Sequence, residues 1–163
     1  MVLRNLIAAI FLSAIASLGA QTPPVKYEAN APINKFIPFG KAFFKAHRAS
    51  VLRHWMEKYR NPNSELDGEF HTELHRGFRF EFIRGDRYTK DEVVAVVITD
   101  PTIRLPLGIA LGDSKEKILK LLGEPSISKD ESIEYELSYD WSFLTFRFTR
   151  NRLIEFEVSY EHE

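Results

Sequence analysis

The chain has no cysteine among its 163 residues. That absence excludes disulfides, thiolate metal centres, thiol nucleophiles and a lipid-modified cysteine. Glycine and proline are held to eight each, far below what a collagen-like or low-complexity chain carries. Neither sign of charge dominates: the formal net charge of -1 excludes a globally basic nucleic-acid binder. Past the first twenty residues there is no second long apolar run, so no stable membrane anchor is expected in the mature chain. The sequence also lacks the G-x-S-x-G elbow, H-E-x-x-H, the P-loop and G-x-G-x-x-G, so it gives no reason to expect an enzyme or a cofactor. What is present is core material. Thirteen Phe, six Tyr and two Trp in a chain that is 44% hydrophobic suffice for one ordinary globular domain.

The first twenty residues have the pattern of a secretory signal peptide. One positive charge at Arg4 precedes an apolar stretch over 6–18, and small residues follow at Gly19 and Ala20. The stretch is too short for a comfortable membrane span. Cleavage after Ala20 fits, and Ala14-Ile15-Ala16 offers a competing site. The expected compartment is a bacterial periplasm, with full secretion as the alternative. A mature core of this size can stabilise itself by burial, so the missing disulfides are no obstacle to export.

Residues 21–38 contain Pro23, Pro24, Pro32 and Pro38 and read as an extended leader. Over 41–59 proline and glycine vanish. Phe44, Val51, Leu52, Trp55, Met56 and Tyr59 recur there at helical spacing, which predicts a helix stopped by Asn61-Pro62-Asn63. Two period-two runs follow. Phe70, Thr72 and Leu74 alternate with Glu69, His71, Glu73 and His75, and Phe78, Phe80 and Phe82 alternate with Arg79 and Glu81. His75-Arg76-Gly77 between them suits a tight turn, and 93–99 is apolar on both faces, as a central strand would be.

The pattern then restarts. Asp113-Ser114 can cap a short helix through Leu122, with Gly123 and Pro125 beyond its end. Three more alternating runs follow, over 133–139, 143–149 and 154–160, with a turn at Asn151-Arg152. Each half thus reads as a helix and three strands, and IPFGK ahead of the first helix echoes IALGD ahead of the second. The predicted fold class is α+β: two layers, an antiparallel sheet of about six strands covered by two helices, built as a tandem α-β-β-β duplication. Its halves would be 39–100 and 101–163, forming a single domain over 39–163.

Residues 107–158 resemble a known repeat. LGIALGDSKEKILKLLGEP, then a tyrosine-bearing strand and FLTFRFTRNRLIEFEV, is similar to the unit of the β-lactamase-inhibitor-protein-like superfamily and of the small OmlA-type outer-membrane assembly lipoproteins. The matching parts are Gly112 and Ser114 opening the helix, Leu121 to Pro125 closing it, and the aromatic hairpin around Asn151. The resemblance implies a non-enzymatic protein-binding module of the bacterial envelope, with an exposed sheet face or loops as contact surface. The lipoproteins' anchoring cysteine and the inhibitors' disulfides have no counterpart here, so neither feature carries over.

Three groups of residues merit attention. Glu134, Glu136, Arg147, Glu155 and Glu157 would cluster with Phe143 and Leu153 on the outer sheet face, apolar groups amid charge, as at a protein contact. Glu69, His71, Glu73 and His75 share one strand face. His71, His75 and Glu73 could serve a metal, with Glu81 as a ligand from the next strand, in a small periplasmic metal-binding protein or hydrolase. The spacing of known metal motifs is missing, so a solvated strand face is the preferred reading. His47 and His54 would flank the apolar stripe of the first helix. Charge is unevenly spread: residues 41–60 carry six basic residues against Glu57, whereas residues 124–163 carry ten acidic against four basic. Such asymmetry can steer a charged protein partner, and an acidic half argues against nucleic acid.

Overall fold

The computed structural model describes residues 32–60, 67–85, 91–137 and 142–160. The expected signal peptide, the leader as far as residue 31 and the stop at 61–63 lie outside them. A 3-10 turn at Pro32–Lys35 leads into helix α1 (Phe36–Ala46). Strands β1 (Arg53–Arg60), β2 (Asp67–His75), β3 (Phe78–Gly85) and β4 (Glu92–Ile98) follow. The second half holds helix α2 (Lys115–Leu122) and strands β5 (Ile127–Ser128), β6 (Ser132–Leu137), β7 (Ser142–Thr149) and β8 (Arg152–Tyr160).

All eight strands form one sheet in the order β1-β2-β3-β4-β8-β7-β6-β5, with every neighbouring pair antiparallel. This corrects the fold expected from the sequence. The chain is a single eight-stranded sheet with two short helices, much richer in sheet than six strands under a two-helix layer. Each half is a helix and four strands, and the halves meet at β4 and β8, where Val96 faces Val158 and Ile98 faces Phe156.

The missed strands are the two sheet edges, and β1 replaces the helix predicted over 41–59. Its apolar residues fit a helical period, yet Trp55 and Met56 are adjacent and lie on opposite sheet faces. Pairing with β2 over eight residues decides the conformation. The true helix lies earlier. Phe36, Gly40, Phe43 and Phe44 form its buried stripe, and Pro38 is accommodated in the first turn, where backbone N–H groups lack helical partners anyway. The leader therefore does not extend to Pro38. The basic stretch over 41–60 is likewise divided between α1, a turn and β1.

Local signals place most other elements as expected. The β2–β3 hairpin turns on Arg76 and Gly77, with Gly77 at φ +83°. Between β7 and β8, Arg150 and Asn151 both take positive φ, the geometry of a type I′ turn, one residue before the expected turn. Ser114 caps α2 by accepting from the Lys117 N–H (3.3 Å), and Gly123 ends it at φ +86°.

The core lies between the helices and one sheet face. Phe36 meets Phe146 edge-on at 6.0 Å and Phe156 at 5.4 Å, while Phe44 covers Phe80 and Phe82. Ile118 of α2 is fully buried in the same cluster. Each such side chain contributes about 1.5–3 kcal/mol by leaving water.

Candidate protein-contact face and a buried histidine cluster

The strand register sorts the predicted residues between the two faces. Val158, Phe156, Leu144, Phe146, Ile133 and Tyr135 face the helices. The opposite face carries Glu136 across from Phe143, Glu134 across from Thr145 and then Glu157, and Arg147 across from Glu155. Neither helix packs on that side. Six of the seven predicted contact residues therefore share it: Glu134, Glu136, Phe143, Arg147, Glu155 and Glu157.

Leu153 does not, and this corrects the prediction. A β-bulge separates the pairs Arg147↔Glu155 and Phe148↔Leu153, leaving Ile154 as the extra residue. The alternation of β8 flips there. Leu153 turns into the core at 1% exposure, and Ile154, expected inside, is 50% exposed.

Arg147 organises the charged part of this face. Its guanidinium donates to Glu155 and, at 3.0 Å, to Glu157. Partial burial opposes its charge, but these bonds outweigh that effect and raise its pKa above the usual arginine value. Phe143 lies half-buried between Glu136 and Ser159 on the neighbouring strands.

Three of the four residues expected to share a solvated face of β2 also depart from expectation. His71, Glu73 and His75 are not a solvated strand face: they are 4%, 7% and 2% exposed. They point to the helix side, across from Phe82, Phe80 and Phe78 of β3. The phenylalanines of β3 set that phase, since directly paired residues share a face. His71 stacks on Phe82 and His75 on Phe78, with ring centroids 4.9 and 4.6 Å apart.

Hydrogen bonds within the group offset most of the cost of burying it, while among the described residues His75 Nε2 stays without a hydrogen bond, 3.6 Å from a Glu73 carboxylate oxygen. His71 Nε2 lies 3.1 Å from a Glu69 carboxylate oxygen, and its Nδ1 lies 2.9 Å from His54 Nε2 on β1. Because a carboxylate oxygen accepts, His71 Nε2 donates to Glu69 and its Nδ1 accepts from His54 Nε2, which places both ring nitrogens of His71 in hydrogen bonds. His75 Nδ1 donates to the Ser50 carbonyl (2.9 Å), which ties the 47–52 turn to the sheet. Arg48 closes the group. It donates to Glu73 (3.0 Å) and to Asp91, and its guanidinium lies over the rings of Phe44 and Phe82 at 4.9 and 4.5 Å. Asp91 also accepts two bonds from Arg84. The bonds from Arg84 and Arg48 hold the Asp91 carboxyl at about 2, against partial burial that would raise it.

This geometry suits a structural clasp better than a metal centre. The two nitrogens of His71 point to different partners, and Glu81 lies on the other face, ion-paired with Arg79 at 3.0 Å. Among the described residues no three His, Asp or Glu side chains are placed to share one ion. Nor are His47 and His54 neighbours on a helix. His47 ends α1, donating to the Phe43 carbonyl and stacked on the Phe43 ring, whereas His54 is on β1. Nothing in the sequence signalled Arg48 and Asp91, 43 residues apart and brought together only by the fold.

No family model, curated protein or solved structure matches the chain. Among the described residues no helix is long and apolar enough to cross a membrane.

Proposed function

We propose that the protein is an exported, non-enzymatic binding module of the bacterial envelope, acting on a protein partner through the sheet face that neither helix covers. An inhibitor, an immunity protein or an accessory of envelope assembly would all work in this way. The carrying observation is the placement of both helices on one side, which leaves Phe143 and the charged set Glu134, Glu136, Arg147, Glu155 and Glu157 together on the other. Phe143 supplies an apolar anchor. The carboxylates and the clamped Arg147 supply charge that sets specificity and approach rate. The apolar stretch over 6–18, with its basic start and small-residue end, supports export.

The test is affinity capture from an envelope extract with the mature protein, the bound species identified by mass spectrometry. Reversing Glu155 and Glu157 to Lys should abolish capture of the partner. Capture that is indifferent to this reversal, with the variant still folded, sinks the reading.

A further inference from the structure

Five of the eight large apolar side chains left exposed among the described residues gather at one margin: Val51, Leu52, Trp55, Met56 and Leu74, at 39% to 68% exposure. Four belong to β1 or the residues leading into it. β1 is the outermost strand and is paired on one side only, through eight successive residues with β2. Among the described residues, half of its backbone N–H and C=O groups therefore face outward without a strand beside them. The other edge of the sheet is blunted by contrast, since β5 is two residues long.

The geometry points to β1 as a docking edge for an extended acidic segment of another protein, which would add to the sheet as a ninth strand. This does not depend on the sheet-face reading above. Charge selects the occupant. β1 reads RHWMEKYR, in which Glu57 is the one acidic residue against three Lys or Arg, and Arg53 and Lys58 are exposed on either side of Trp55 and Met56. A second copy is disfavoured. A two-fold pairing of β1 with itself, centred between the exposed Trp55 and Met56, would set Arg53 against Lys58, and like charges directly opposite destabilise a sheet. Head-to-tail growth fails as well, because β5 offers two residues to pair with eight. Basic side chains deter indiscriminate edge pairing, and the strand they still admit is an acidic one.

The order of side chains specifies the ligand further. Carboxylates belong opposite Arg53 and Lys58, and apolar side chains opposite Trp55 and Met56. The complementary strand therefore reads acidic-x-apolar-apolar-x-acidic, a pattern that fits either strand direction.

The probe is a blocked peptide, acetyl-TETVVTET-amide, with two controls: lysine in place of both glutamates, and N-methylation at alternate residues. With the full mature protein, the acidic peptide should slow hydrogen exchange of β1 amides. The lysine peptide should bind at least about tenfold more weakly, a margin typical of a small set of cross-strand charge pairs. The N-methylated one, which cannot complete the ladder, should not bind. Arg53→Glu with Lys58→Glu alters only exposed side chains and should reverse the preference. Equal binding of both charged peptides, no binding by either, or no slowing at β1 overturns the proposal. So does β1 protection that rises with protein concentration alone, which would make a second copy the occupant. Glu155→Lys with Glu157→Lys should leave peptide binding unchanged, so this proposal and the sheet-face reading can fail separately.

Discussion

Gly40 sits where α1 crosses β8. A Cβ there would lie 2.6 Å from Val158 Cγ1 and collide with the Tyr160 hydroxyl, which donates to the Ile37 carbonyl at 2.8 Å. Helix propensity alone would make Gly40→Ala stabilising by about 1 kcal/mol. Overpacking should reverse that sign, giving a net loss of about 1–3 kcal/mol in urea denaturation. The Arg48–Asp91–Arg84 cluster makes a second residue-scale prediction. Asp91 has a folded pKa of about 2 against an ordinary 3.8. Its contribution is therefore complete above pH 4 and is lost as pH falls towards 2, because the unfolded chain takes up the proton first. Asp91→Asn should lower stability by up to about 2 kcal/mol at pH 7 and flatten that acid limb of the stability curve. Arg48→Ala removes the hydrogen-bond donor of Glu73 and one of the two arginines that bind Asp91, uncovers Phe44 and Phe82, and should cost about 2 kcal/mol by the same measurement.

At the level of elements, α2 and the β7–β8 hairpin are joined through Asn151. Its side-chain amide donates to Glu116, its carbonyl oxygen accepts from the Lys115 N–H (3.3 Å), and its own φ is +62°. Asn151→Gly keeps the turn and loses the helix contacts, whereas Asn151→Ala loses both. The alanine variant should therefore be the less stable of the two by about 1 kcal/mol in thermal melts. Elements with such local punctuation were legible from sequence. Ser114 and Gly123 mark the ends of α2, Gly77 marks the first hairpin, and the unbroken apolar run of 93–99 marks the central strand β4. Where no punctuation separates two states, the local sequence fits both. Residues 51–59 satisfy a helical period and are also rich in strand formers. Only β2, eight residues in register alongside, makes them a strand. The polar row of β2 is a related case: its alternation was plain, but its facing depends on the phenylalanines of β3.

The molecule as a whole is a sheet with a protected middle and unequal margins. β4 and β8 join the halves and carry Val96, Ile98, Phe156 and Val158, all fully buried, whereas β1 is exposed along its length where its side chains are described. Native-state hydrogen exchange should therefore be slowest in β4 and β8 and fastest in β1, with β1 opening before global unfolding. Exchange in β1 as slow as in β4 would contradict this ordering. The absence of disulfides, the positions of the two hairpin turns to within a residue, the limits of α2 and the central position of β4 are all legible in local sequence. These rest on caps, turns and alternation, which act within a few residues along the chain. Tertiary structure alone decided that residues 53–60 are a strand, that each half has four strands, that His71, Glu73 and His75 lie buried, and that Leu153 rather than Ile154 enters the core. Each of these depends on a neighbouring strand's register, bulge or ring faces, and those interactions join residues that are far apart in the chain.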